Sequence, residues 1–268
     1  MAIDYVVHYP CVPKETLTTE GILERLKARD RAAQIIRLYR DNGDERPPSE
    51  MGFEFTRTTA EGESEAEIIL VQDLVDRAAE LDPLAHHCAG CPANLRAEPF
   101  GCAGFIQYPI SSLAEAWLLD RLPGIEQPLI WLLLRQGVQQ MGYDGASVRP
   151  LRTNSTYFEE RQIRGRDLIE FVISADQVFE MIFLLGPIQP AHAGILLLFF
   201  DAVPRDTIEA DQITAIMNGT LDGAAIERDF PFTLEHYADE DQTIAELKDF
   251  FRALHRAWSL NVALLLDV

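Results

Sequence analysis

Ile3-Asp4-Tyr5-Val6-Val7-His8-Tyr9, closed by Pro10 and followed by Leu23, Leu26, Ala33, Ile36 and Tyr39 at helical spacing, decides the fold class. β-branched and aromatic residues dominate the first segment, which predicts a strand, and Pro10 stops it because proline has no N–H for a ladder. The second segment keeps its apolar residues near a 3.6-residue period. Thr18 or Thr19 can cap it and Asn42-Gly43 can stop it, so it predicts a helix. Strand and helix signals then alternate irregularly along the chain, which predicts an α+β fold: a mixed sheet with packed helices.

Working outward, Phe53 and Phe55 alternate with Glu54 and Thr56 and predict a second strand. An acidic connector follows (Glu61, Glu63, Glu65, Glu67), then a helix through Leu74, Val75 and Ala78 to Leu81. A strand is expected over 105–110. Ser112 with Glu115 reads as a capping box for a helix through Trp117 and Leu118 to Leu122. A second apolar helix over 128–141 ends at Gly142. The polar, turn-rich stretch 143–156 is the expected boundary between an α+β region, 1–142, and a helix-rich region, 143–268, unless the chain is one continuous domain. Beyond it, 168–173 predicts a strand, and Ser174 with Gln177 opens an apolar helix to Leu185. The apolar run 193–200 fits a buried strand or a buried helix equally, since periodicity alone does not separate them. The last helix, 242–259, places Leu247, Phe250, Phe251, Leu254 and Trp258 on one face.

Composition bounds the function. The 268 residues include 43 acids and 23 bases, a formal net charge of −20. Such a chain repels phosphate backbones and anionic membrane surfaces, which disfavours general nucleic-acid binding and membrane attachment. The longest apolar run falls well short of the roughly 20 residues of a membrane-spanning helix. No basic region followed by an apolar one opens the sequence, so the expected compartment is the cytoplasm.

Clustered cysteines in a reducing compartment point to metal ligation rather than disulfides. Three of the four cysteines stand together as Cys88-Ala89-Gly90-Cys91 and, ten residues on, Cys102; the fourth is Cys11. A C-x-x-C turn presents two thiolates to one ion, and Gly90 can take the positive φ that such a turn uses. Cys102 lies between Gly101 and Gly104. These four cysteines are the candidate metal ligands, with zinc the expected ion. His8, His86 and His87 are alternatives to Cys11 as the fourth ligand. An iron–sulfur cluster, a redox dithiol and unligated buried thiols are the competing readings.

Other constellations are weaker. The first helix carries Arg25, Lys27, Arg29, Arg31, Arg37 and Arg40, which read as a solvated face balanced by acids. Arg149, Arg152, Arg161, Arg164 and Arg166 form a second basic region that could take an anion, but no glycine-rich phosphate loop accompanies it. Glu159, Glu160, Asp167 and Glu170 have no spacing that singles out an acid–base pair. His192, His236 and His255 lie far apart in sequence. The first expectation is therefore a metal-stabilised protein of binding or scaffold type, with a protein partner. The alternatives are a metalloenzyme with an open coordination position or an arginine-lined anion pocket, and an iron–sulfur redox protein.

Overall fold

A computed structural model of the chain describes residues 2–58, 64–184 and 186–267. The fold is α+β. It divides into two compact units, one of Met1–Tyr9 with Pro92–Val268 and one of Pro10–Cys91. In chain order the first strand is β1 (Ala2–Val7), and the second unit follows with α1 (Val12–Asp41), β2 (Gly52–Thr58), β3 (Ser64–Leu70) and α2 (Val71–Ala79). The first unit resumes with β4 (Ala103–Gln107), α3 (Ser112–Arg121), α4 (Pro128–Met141), α5 (Arg149–Arg152), β5 (Gly165–Asp167) and β6 (Val172–Ser174). It is completed by α6 (Ala175–Phe183), α7 (Pro190–Phe199), α8 (Ala210–Met217), α9 (Gly223–Asp229), α10 (Gln242–Ser259) and β7 (Leu264–Asp267). The stretch 143–156 lies inside this unit.

In the Pro10–Cys91 unit, α1 contains a break at Thr18, whose φ is +61°. The Thr18 hydroxyl accepts the Gly21 N–H at 3.1 Å, so the expected cap starts the long part of the helix after a separate first turn. Gly43, at φ +76°, ends it. Ala28 and Ala32 of α1 pack with Met51, Val71 and Leu74 as the core of this unit. The basic face of α1 is largely neutralised locally, by Arg25 with Glu80, Arg29 with Asp30, Arg37 with Asp41 and Arg40 with Glu45. Of the expected acidic connector, Glu65 and Glu67 belong to β3, while Glu61 and Glu63 lie outside the described residues.

In the other unit, β1 is the middle strand of an antiparallel sheet ordered β4-β1-β7, with Tyr5 opposite both Gly104 and Leu266. A middle strand covered on both faces needs apolar residues at consecutive positions, and Ile3, Tyr5, Val6 and Val7 are all buried. Gly104 is required here, because a Cβ at that position would lie 2.4 Å from the Tyr5 hydroxyl. Helix α10 packs on β1 and β4 with Leu247, Phe250, Phe251, Leu254 and Trp258 buried, as its period predicts. The run 193–200 resolves as helix: α7 buries Ala193, Leu196, Leu197, Leu198 and Phe199 all round its axis. At Gly194 a Cβ would meet Ile216 at 2.8 Å and Trp258 at 2.9 Å, so this glycine lets α8 and α10 approach α7 closely.

Three local expectations shift. The strand expected over 168–173 is instead a hairpin of β5 and β6, turning through Ile169 at φ +76° with a Leu168 N–H to Phe171 carbonyl bond of 2.9 Å. Helix α3 is capped one residue early, the Ser111 hydroxyl accepting the Ala114 N–H, and Glu115 turns into the protein rather than back to the cap. The capping box at Ser174 and Gln177 forms as read, and the expected helix end at Leu185 lies outside the described residues. No helix among the described residues is long and apolar enough to cross a membrane.

Candidate functional site

Two helix stripes in the larger unit face a common cleft. Leu113, Trp117 and Arg121 stand at i, i+4 and i+8 on α3, which aligns them along one side of that helix. Asp241, Ile244 and Lys248 form the matching stripe at the start of α10. The extended segment Thr233, Leu234, Glu235, Tyr237 and Glu240 closes the third side, with Asp201 at the end beyond α7. The cleft measures about 650 Å³, inside the range of small-molecule sites.

Its electrostatics are set by a few side chains. Lys248 is only 3% exposed; its ammonium donates to the Glu235 carbonyl at 2.7 Å and to Glu240, and lies 4.6 Å from the centre of the Tyr237 ring. Burial alone would push the Glu240 carboxyl up. The hydrogen bonds from Lys248, the Tyr237 N–H and His236, with the charge of Lys248, outweigh it and hold Glu240 below its ordinary value. On the opposite wall the Arg121 guanidinium covers the Trp117 ring at 4.7 Å and donates to the Asp201 carbonyl at 3.4 Å. Burial pushes Arg121 down, and its Nε is buried without a hydrogen-bond partner among the described residues. Five carboxylates line the cleft (Asp120, Asp201, Glu235, Glu240 and Asp241) against the two cations. Asp241 is held as the α10 cap, accepting from the Ile244 N–H and the Ser111 hydroxyl. The Asp120 and Glu235 carboxylates have no ion-pair partner among the described residues.

His236 links this wall to the interior of α10. Its Nδ1 lies 3.0 Å from Glu240 and its Nε2 lies 3.1 Å from Asp249. With both ring nitrogens facing carboxylates, the imidazole crosslinks the segment before α10 to the helix itself. The cleft lining contains neither cysteine nor serine. The arrangement can hold a ligand.

The residues singled out from sequence fall elsewhere. All four cysteines are half-buried. Cys11 immediately precedes α1, while Cys88 ends a short 3-10 helix (Asp82–Cys88) and begins the turn to Cys91. That turn is type II: Ala89 sits at φ −65°, ψ 121°, Gly90 at φ +73°, and the Cys91 N–H donates to the Cys88 carbonyl at 3.3 Å. Cys102 belongs to the other unit, where its carbonyl accepts the Val7 N–H at 3.0 Å. His86 and His87 stack on each other at 3.9 Å, and His8 is exposed. Among the described residues no group of three or more His, Cys, Asp or Glu side chains is gathered to hold a metal ion.

Most of the second basic region is engaged by the fold, while Arg161 is exposed. Arg152 is buried between Glu115 and Asp176, Arg166 donates to the carbonyls of Leu119, Asp120 and Leu122 at the end of α3, and Arg164 pairs with Glu160. The four carboxylates named with it are likewise engaged: Glu159 accepts the Ser112 N–H, Asp167 accepts the Ile169 N–H and Glu170 pairs with Arg135. Sequence reasoning passed over the cleft. Its one signal was Lys248, a lysine one turn from Ile244 and inside the helix that also buries Phe250 and Phe251. No family model, no curated protein and no solved structure matches this chain.

Proposed function

We propose that this is a binding protein whose α3–α10 cleft takes a small molecule with a cationic, amine-bearing head and an apolar body. The observation that carries this reading is the lining itself: five carboxylates against two cations, two of the carboxylates unpaired, beside the apolar side chains of Leu113, Trp117, Leu234 and Ile244. An amine reaching Asp120 and Glu235 gains charge-assisted hydrogen bonds, and the surrounding net charge of −20 raises the local concentration of cations. Titration calorimetry with spermidine and with agmatine tests it. Binding is expected to weaken at least tenfold in the Asp120→Asn/Glu235→Gln double variant and to weaken with added salt, because exposed charges are screened beyond about 10 Å at 0.1 M. No heat from either amine at millimolar concentration, or equal binding by the variant, overturns the reading.

A second reading, zinc held through Cys88 and Cys91, is supported by the type II turn between them. A type II turn is a backbone form in which residues one and four can offer their side chains to the same ion, as thiolate sites require. Elemental mass spectrometry on protein purified without a metal column is expected to give about one zinc per chain, lost in Cys88→Ser/Cys91→Ser. Iron with visible absorbance would replace zinc by a cluster. Protein free of both metals ends this reading and leaves the cleft untouched.

A further inference from the structure

A second, smaller cavity of about 150 Å³ lies within the same unit, lined by Tyr5, Arg96, His236, Asp249 and Arg252 with Leu95, Gly101 and Ala103. Its charge balance is the reverse of the cleft's. Asp249 has both oxygens engaged, one by Arg96 at 3.3 Å and the other by His236 at 3.1 Å. Arg96 also faces Glu98 at 3.6 Å. Arg252 has no carboxylate partner among the described residues; its guanidinium rests 5.1 Å from the centre of the Phe232 ring. A guanidinium held over an aromatic ring by a cation–π contact still has N–H groups to offer a planar or tetrahedral oxyanion.

The rest of the wall supplies donors on rigid backbone. Arg96 rides on a tight loop: its own N–H donates to the Asn94 side chain at 3.1 Å, the Asn94 amide donates to the Glu98 carbonyl at 2.9 Å, and the Leu95 N–H donates to the Gly101 carbonyl at 3.2 Å. Gly101 permits that closure, since a Cβ there would fall 2.2 Å from the Asn94 side-chain oxygen. Tyr5 is fixed in the middle strand of the sheet. Burial above all, then the charge of Asp249, pushes its hydroxyl up, so it stays an O–H donor. A cavity of this size holds a few waters or one tetrahedral anion.

We propose that this cavity is a binding site for a phosphoryl group, held by Arg252 and Arg96 with the Tyr5 hydroxyl as a third donor. The site shares no lining residue with the amine cleft, and His236 lies between them, bonded to Glu240 of one and Asp249 of the other. In a protein of net charge −20, general anion binding is repelled, so any measurable phosphate affinity must come from a local site. The test is phosphorus NMR titration with inorganic phosphate at constant ionic strength, chloride replacing phosphate. Saturable binding is expected in the millimolar range or tighter, weakened at least tenfold in Arg252→Gln. It should be unchanged in Arg228→Gln, which removes an exposed arginine paired with its neighbour Asp229. Arg252 is exposed on α10, and thermal melts in chloride check that its variant is folded. Glycerol 3-phosphate distinguishes the source: tighter binding than inorganic phosphate marks a phosphorylated metabolite, and equal or weaker binding marks the free anion. Absence of saturable binding, or equal loss in the two arginine variants, overturns the proposal.

Discussion

Arg152→Ala is expected to cost the fold about 3–5 kcal/mol in urea unfolding, because it strands two buried carboxylates. Arg152 on α5 is 3% exposed, as is Glu115 on α3, and Asp176 on α6 is 1% exposed. The guanidinium donates to Asp176 at 2.6 Å, to Glu115 through two nitrogens, and to the Glu160 carbonyl at 3.0 Å, with the Phe158 ring 4.2 Å away. Removing one partner from such a group leaves charge in a low-dielectric site, a larger effect than trimming the apolar stem of the arginine. Burial pushes the Glu115 carboxyl up even with Arg152 beside it, while the carboxylates keep Arg152 charged. Without Arg152 the Glu115 value rises further above that of the unfolded chain. A carboxyl raised in the folded state takes up its proton more readily there than when unfolded, so stability falls as pH rises from the unfolded value to the folded one. The deficit of Arg152→Ala should therefore be larger at pH 8 than at pH 5. The Arg152→Met/Glu115→Gln double variant, with one fewer buried charge left alone, should recover part of it.

Phe250→Ala is expected to cost a similar amount, about 3–5 kcal/mol, for a different reason. Phe250 is fully buried, and its ring meets Tyr5 edge-on at 5.4 Å, Phe183 at 5.1 Å and Phe251 at 5.6 Å. It therefore joins three elements, β1, α6 and its own helix α10. Truncation leaves a void that close-packed neighbours fill only in part, and the cost grows with the volume that remains. Phe250→Leu, which keeps most of the apolar volume, should lose much less, and the same loss at every pH separates this effect from that of Arg152. Equal losses for Ala and Leu would falsify the cavity account.

What could be read in advance divides by distance along the chain. The stops at Asn42-Gly43 and Gly142 and the capping box at Ser174 with Gln177 are contained in a few residues each, so local rules reach them. The face of α10 was legible because its period is local as well. The run 193–200 was ambiguous because a helix buried all round has no polar side to show a period. Arg152 was read as one of five arginines of a basic region that could take an anion, since its partners lie 24 and 37 residues away and only the fold brings them together. The cleft escaped notice for the same reason: α3 and α10 contribute one stripe each, and neither stripe is unusual alone. The C-x-x-C turn was legible down to the positive φ of Gly90, yet sequence spacing did not reveal that Cys102 belongs to a different compact unit from Cys11, Cys88 and Cys91.

The placement of β1 sets an order of events during synthesis. It is made before either of its partners, so both edges of this middle strand wait, for β4 from beyond the whole Pro10–Cys91 unit and for β7 from residues 264–267. While the ribosome works through the intervening chain, the β1 backbone has neither ladder, and its apolar residues have no sheet to join. The Pro10–Cys91 unit, whose strands pair with each other, can close on itself in that interval. The sheet of the larger unit can be completed only once β7 is made, and pairing strands so widely separated in sequence slows folding and prolongs the exposure of apolar surface.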